Sequence, residues 1–284
     1  MGLGGGGGGM SSPAEPKGAW LDRIVESRRQ AVARSAPRPA PTAVPRLDRQ
    51  PFLAAVRSAP SGRVAVIAEI KRVSPARGSL RQELNPASLA AAYARGGAAA
   101  LSVLTEPEFF GAQPDDLPQA RAAAGLPTLC KDFVVDPRQL EEAAALGADA
   151  VLLLVVVLGK QTGAFVARCR VLGLTPLVEV HDEAEMEIAL ASGAELIGIN
   201  NRDLRTFTVD PATAVRLAPR AAAAGRTVAA LSGIDGPQDL RGLRSVGIAA
   251  VLVGTSLVRS GDPEGAVAAL VAADATGGGM AGVD

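Results

Sequence analysis

Residues 64–80 read VAVIAEIKRVSPARGSL, an apolar run that presents Glu69 and Lys71 just before a Ser/Pro/Gly turn. Alternate side chains of a β-strand share a face, so Glu69 and Lys71 project the same way from the end of an otherwise oily element. Two ionisable groups in that position are costly unless they are paired or used. Taken alone they read as a structural ion pair at a rim. What changes the reading is recurrence: later apolar runs end in Lys131 (PTLCKDF), Glu179 (TPLVEV), Asn200 (LIGINNRD), Ser232 (VAALSG) and Gly254 to Ser256 (AVLVGTS).

Working outward, eight such runs, near 64–71, 98–104, 127–133, 150–155, 175–180, 196–200, 227–232 and 250–254, alternate with eight helical segments. Strands alternating with helices predict parallel βαβ units, and eight of them predict closure into one (β/α)8 barrel. The helix boundaries support this. Asn85-Pro86, Asp136-Pro137, Asp210-Pro211 and Asp262-Pro263 each set a capping side chain before a proline suited to a first turn. Gly147, Gly173, Gly193 and Gly247 stand where left-handed helix ends are wanted. A barrel of this kind gathers the C-terminal ends of all its strands at one mouth, so the polar residues above are expected to converge.

The barrel is assigned to residues 61–274. Ahead of it, WLDRIVESRRQAVARS has Leu21, Ile24 and Val25 at helical spacing, and a second short helix is expected over 51–58. Residues 20–60 therefore form an N-terminal helical extension. Residues 1–19, opening with GLGGGGGG, read as a flexible leader, with Met10 a possible true start, and residues 275–284 as a loose tail.

The chain has 284 residues, 48% of them hydrophobic, enough for one large core, and its 29 basic and 29 acidic residues cancel. No net field favours nucleic acid or an anionic membrane, so a small-molecule partner is expected. Cys130 and Cys169, with His181 as the one histidine, make no metal-ligand cluster, and metal-free acid/base chemistry without a cofactor is expected. The apolar run 150–158 is too short to cross a bilayer and no signal-peptide pattern opens the chain, so the expected location is cytoplasmic. Oligomeric state stays open between a monomer and a simple homo-oligomer.

IAEIKRVSPARG, SVLTEPEFFG, LCKDFVVDPRQLEEAAALGADAVLLL, LVEVHDEAEME, IGINNRDLRTF, LSGI and VLVGTSLVR occur in an order that resembles the indole-3-glycerol-phosphate synthase family of tryptophan biosynthesis, from about Trp20 to Ala272. That resemblance implies conversion of 1-(2-carboxyphenylamino)-1-deoxyribulose 5-phosphate to indole-3-glycerol phosphate with loss of carbon dioxide and water. It implies Lys131 as the general acid that protonates the substrate ketone, and Glu179 as the general base for dehydration. Lys71 would hold the substrate carboxylate and the departing oxygen, and Glu69 would fix the lysines, with a purely structural carboxylate as the alternative. Asn200 and Arg202 would orient the intermediate and its carboxylate; a salt bridge to Asp203 is the alternative for Arg202. Ser74, Ser232, Gly233, Gly254, Thr255 and Ser256 would take the phosphate end. Phe133, with Phe109, Phe110 and Leu231, would pack around the aromatic ring. Asn201, Asp203 and His181 read as turn or cap residues.

Two departures stand out. Leu231 occupies the position where the family usually has glutamate in S-E-S-G-I, and Cys130 stands where an arginine commonly precedes the lysine. Strand alternation turns Cys130 away from Lys131, toward the helices, which marks it as structural. Leu231 keeps two alternatives in view, a relative acting on a modified anthranilate and a sugar-phosphate binder without turnover; a different enzyme on the same fold, such as a sugar-phosphate isomerase or a Schiff-base lyase using Lys131, is a third.

Overall fold

The computed structural model describes residues 19–34, 50–74, 78–81 and 83–276. Eight parallel strands close into a barrel: β1 (Ala65–Ile70), β2 (Ala100–Leu104), β3 (Thr128–Lys131), β4 (Ala150–Leu154), β5 (Thr175–Val180), β6 (Leu196–Asn200), β7 (Thr227–Leu231) and β8 (Ile248–Val253). Each pairs with its sequence neighbours, and β8 closes on β1 through Ala65↔Ala250 to Ala68↔Val253. Alternation divides the apolar residues into two cores. Val66, Leu101, Cys130, Val151, Val178 and Val251 face the surrounding helices. Ile67, Ala100, Leu129, Leu152, Leu177 and Leu252 face inward and fill the barrel.

The N-terminal helices, α1 (Ala19–Arg34) and α2 (Pro51–Arg57), complete the inner core rather than the outer one. Leu21, Ile24 and Val25 of α1 and Phe52, Leu53 and Val56 of α2 belong to the cluster that fills the barrel. Arg57 donates to the Thr227 hydroxyl at 2.8 Å, at the first residue of β7, so α2 closes the N-terminal end. At the opposite end Trp20 meets the rings of Phe109 and Phe207 edge-on, 5.2 and 6.0 Å between centroids, and Arg28 reaches Asp132 just after β3. A barrel open at its N-terminal end would leave inward leucines wet; α2 removes that exposure, while α1 packs beside the mouth at the other end.

Asn85 and Asp262 accept from the N–H groups of Ser88 (2.9 Å) and Gly265 (3.0 Å), and Asp136 and Asp210 accept from Arg138 (2.9 Å) and Ala212 (3.0 Å). Bonds of this type contribute about 1 kcal/mol each. Gly147, Gly173, Gly193 and Gly247 all adopt positive φ, between 71° and 92°.

Three local features differ from or add to the sequence reading. No α-helix follows β7: residues 237–246 form only two 3-10 turns, Pro237–Leu240 and Arg244–Val246, with Gly242 at φ 75° between them. So short a segment, interrupted by a left-handed glycine, cannot propagate a helix. The turn after β1 carries a two-stranded hairpin, Val73–Ser74 against Gly78–Ser79, that alternation did not predict. The start of the tail is anchored: Ala275 is buried and donates to the Gly62 carbonyl at 2.8 Å. The leader through residue 18, Met10, the Pro-rich link over 35–49, residues 75–77 of the SPARG turn and the tail from 277 lie outside the described residues.

Candidate active site

The C-terminal ends of the strands surround a cavity of about 260 Å³ lined by Glu69, Lys71, Ser74, Lys131, Phe133, Glu179, Asn200, Arg202, Ser232, Gly233, Gly254 and Thr255. Residues spread over nearly 190 positions of sequence are thus brought together by strand topology alone. Ser256 is the exception among the expected site residues. It lies instead at a separate groove with Asp235, Arg259 and Leu270, with its hydroxyl buried.

Glu69 organises one side of the cavity. It is 3% exposed, its Oε1 accepts from Lys71 Nζ at 2.6 Å, and its Oε2 stands 3.8 Å from Lys131 Nζ. Burial by itself would push this carboxyl up; the ammonium groups of Lys71 and Lys131 outweigh it and hold the pKa below the usual value. Asp132, the neighbour of Lys131, points the other way. It binds Arg28, accepts from the Thr105 hydroxyl at 2.9 Å and from the Phe133 N–H at 2.7 Å. Lys131 is therefore committed to the cavity and not to a rim pair with Asp132.

Across the cavity, Glu179 is 5% exposed and accepts from the Asn200 amide at 2.8 Å. Burial pushes its pKa up, and the opposing pull of Lys131 and of the Asn200 hydrogen bond offsets only part of that. A carboxylate tuned upward in this way is better matched to moving protons near neutral pH. Two carboxylates of one mouth are thus driven in opposite directions: both are buried, but two cations at close range overcome that burial at Glu69, whereas at Glu179 the pull of Lys131 and Asn200 does not.

The loop after β6 fixes the remaining polar groups. Arg202 donates its N–H to Asn200 Oδ1 at 2.9 Å and its guanidinium to the Phe207 carbonyl at 3.1 Å. Asn201 donates to the Ser232 carbonyl at 3.0 Å and accepts from Ala214 N–H at 2.9 Å, tying β6, the loop after β7 and the following helix together. Ser232 is held at φ 62° and Gly233 at 74°. Left-handed backbone at a serine is unfavourable, and its placement in the loop expected to meet the phosphate fits the tendency of such strain to gather at functional sites. Asp203 accepts from Arg205 N–H at 2.8 Å and shapes the turn. His181 sits before the helix Glu183–Ala191, with Nδ1 2.8 Å from the Asn200 carbonyl; a carbonyl only accepts, so Nδ1 carries the proton.

The apolar wall includes Phe110, Phe133, Leu152, Leu154, Leu204, Phe207, Leu231 and Ile234. Phe109 does not line it and packs on Trp20 instead. Leu231 is 2% exposed, and it seats over Gly198: a Cβ at that glycine would stand 2.7 Å from Leu231 Cδ1. Several participants were missed in the sequence. Leu204 and Phe207 come from an irregular loop without periodicity. Glu106 is fully buried and accepts from the N–H groups of Glu108 (3.1 Å), Phe109 (2.7 Å) and Phe110 (3.1 Å), which sets Phe110 at the cavity. The Glu106-Pro107 pair carried the same signal as the four acid- or amide-proline caps.

A family model described as indole-3-glycerol phosphate synthase matches residues 21–270. A protein of that name from Deinococcus radiodurans is 48% identical over 258 residues, 89% of this chain and 94% of its own. Indole-3-glycerol phosphate synthase 2 of Streptomyces coelicolor is 50% identical over 209 residues, 73% of this chain and 81% of its own. Among solved structures, thiamine phosphate pyrophosphorylase from Pyrococcus furiosus superposes with a TM-score of 0.54 at 15% identity, covering 74% of this chain and 94% of its own. That last likeness is one of fold alone.

Proposed function

The chain belongs to the indole-3-glycerol phosphate synthase family, and on that premise we propose that it converts 1-(2-carboxyphenylamino)-1-deoxyribulose 5-phosphate to indole-3-glycerol phosphate, as a carbon–carbon lyase releasing carbon dioxide and water. The observation that carries the reading is the pair of lysines converging on one buried carboxylate, Glu69, at 2.6 and 3.8 Å, facing a second carboxylate held by an amide across the same cavity.

In this reading Lys131 protonates the ketone oxygen while the ring carbon bearing the carboxylate attacks the ketone carbon. The new carbon–carbon bond closes the ring, and loss of carbon dioxide restores aromaticity. Lys71 holds the substrate carboxylate and then the hydroxyl that leaves as water. Glu69 pairs with both ammonium groups and aims them. Glu179 takes the proton whose removal completes dehydration, and Asn200 steers both Glu179 and the intermediate. Arg202 contacts the anthranilate carboxylate, and Phe133 and Phe110 flank the ring. Ser74, Ser232, Gly233, Gly254 and Thr255 receive the phosphate, with Ser256 contributing through its backbone rather than its side chain.

Leu231 enters as part of the apolar wall, and its packing on Gly198 supports a site rebuilt around leucine rather than one left with a hole. Among the described residues no helix is long and apolar enough to cross a membrane. The reading is of a cytoplasmic enzyme, a monomer or simple homo-oligomer, acting on a free phosphorylated substrate, as the biosynthetic family suggests. The test is the ultraviolet and fluorescence change on mixing the protein with the substrate, beside Lys131→Ala. Indole emission that vanishes in the variant supports the reading. Saturable binding without emission refutes it.

A further inference from the structure

Gly254 follows β8 and was assigned above to the phosphate end, where a glycine is expected to let backbone approach an anion. Its own surroundings point elsewhere. Its φ is −129°, so left-handed backbone is not the reason for glycine here. Space is: a Cβ built on Gly254 would overlap Oε1 of Glu69 and stand 3.0 Å from Glu69 Cδ and 3.1 Å from Glu69 Cβ. The register explains this contact, because Ala68 pairs with Val253, which sets residue 254 beside residue 69 at the rim of adjacent strands.

An overlap with the end of a surface glutamate is relieved by a rotamer change. Glu69 has no such freedom. It is 3% exposed, bonded to Lys71 at 2.6 Å and 3.8 Å from Lys131, and its backbone lies in β1 between β8 and β2. Its carbonyl also accepts from the buried Tyr93 hydroxyl at 3.3 Å. Displacing the carboxylate therefore moves it against one lysine or away from the other. We infer that Gly254 is a positioning residue for Glu69: the missing side chain is the seat of the carboxylate that aims Lys71 and Lys131, independently of any service to the phosphate.

This inference rests on the proposed reaction for its kinetic consequence but not for its structural one, so two measurements separate them. The first is a thermal-unfolding cycle of wild type, Gly254→Ala, Glu69→Ala and the double variant. Gly254→Ala should lower the melting temperature in the wild-type background and lower it much less where Glu69 is truncated to its Cβ, because the coupled pair is in contact. Equal losses in both backgrounds overturn the inference. A Gly254→Ala chain that fails to fold supports it if Glu69→Ala restores folding, and overturns it otherwise.

The second measurement is steady-state kinetics with inorganic phosphate as a competing ligand. Gly254→Ala should lose about tenfold or more in kcat while phosphate inhibition changes by less than about threefold. Adding Glu69→Asp, one methylene shorter, should raise kcat above that of Gly254→Ala alone. Loss of phosphate inhibition with kcat retained would return the glycine to the phosphate. A wild-type protein without turnover would refute the proposed reaction, and the unfolding cycle would still decide the role of Gly254.

Discussion

The side-chain amide of Asn200 donates to Glu179 at 2.8 Å and cannot be turned round, because its own Oδ1 already accepts the Arg202 N–H at 2.9 Å. The two hydrogen bonds fix which atom of the amide faces the carboxylate. Asn200 therefore always offers Glu179 a donor, which favours the charged, basic form against burial.

The acid side of the pH profile follows from that pair. A base works when deprotonated, and burial raises the Glu179 pKa, so kcat should rise with pH through a value above the 4.5 of an ordinary glutamate. Asn200→Ala removes an influence that lowers the pKa, so the limb should move to higher pH, with kcat at neutral pH down about 10- to 100-fold. Profiles of kcat for the two proteins check this. A limb at or below the ordinary value in wild type would contradict the assignment.

Glu69 responds to pH in the opposite sense. Its folded pKa is lowered, so the stability it contributes is present above its unfolded value near 4.5 and is lost as pH falls through the folded value. Glu69→Gln leaves two ammonium groups without their shared partner and should cost about 3 kcal/mol at neutral pH. Denaturant titrations at neutral pH and near pH 3 should show that difference shrinking in acid.

Arg28 and Asp132 fasten α1 to the mouth. The guanidinium approaches Asp132 with Nε 2.9 Å from Oδ1 and a terminal nitrogen 3.0 Å from Oδ2, and burial pushes the Asp132 pKa up to about 6 even so. Arg28→Ala strands a buried carboxylate and should destabilise by about 3 kcal/mol, less if Asp132→Asn is made as well. Trp20 is the single tryptophan of the chain and packs on Phe109 and Phe207, so its fluorescence should shift to the red if α1 lifts.

Cys130 and Cys169 should be silent toward thiol reagents in the folded protein. Both are buried, and burial pushes both thiols up to about 12, so little thiolate exists at pH 8. Alkylation followed by mass measurement should label neither in buffer and both in denaturant. Labelling of Cys130 in native protein would challenge the strand register that turns it toward the helices.

Gly198 and Leu231 test how the wall was rebuilt. A methyl at Gly198 would stand 2.7 Å from Leu231 Cδ1 and 3.2 Å from Leu177 Cδ1, so Gly198→Ala should cost about 1–3 kcal/mol as overpacking. In a Leu231→Ala background the added methyl should cost less, and melting temperatures of the four proteins read the difference.

Much of the site was legible before any coordinates. Strand periodicity gave the shared face of Glu69 and Lys71 and the opposite faces of Lys131 and Cys130, and the resemblance to a family gave candidate roles. What escaped was carried by irregular backbone: Phe207 at φ 60°, Leu204 beside it, and Glu106 closing on three successive N–H groups. Loops carry no repeating pattern of burial, so a linear reading cannot tell which of their side chains turn inward.

By itself the sequence determined the alternation of eight strands with helical segments, the left-handed glycines that end helices, and hence a barrel with one polar mouth. Those are local matters of period and backbone freedom, written within a few residues of each position. The tertiary structure alone decided that α2 closes one end of the barrel while α1 packs beside the mouth at the other, that Ser256 lies outside the cavity lining and that Gly254 abuts Glu69. Each depends on contacts between residues tens to nearly two hundred positions apart, which only the closed register of the sheet brings within atomic reach.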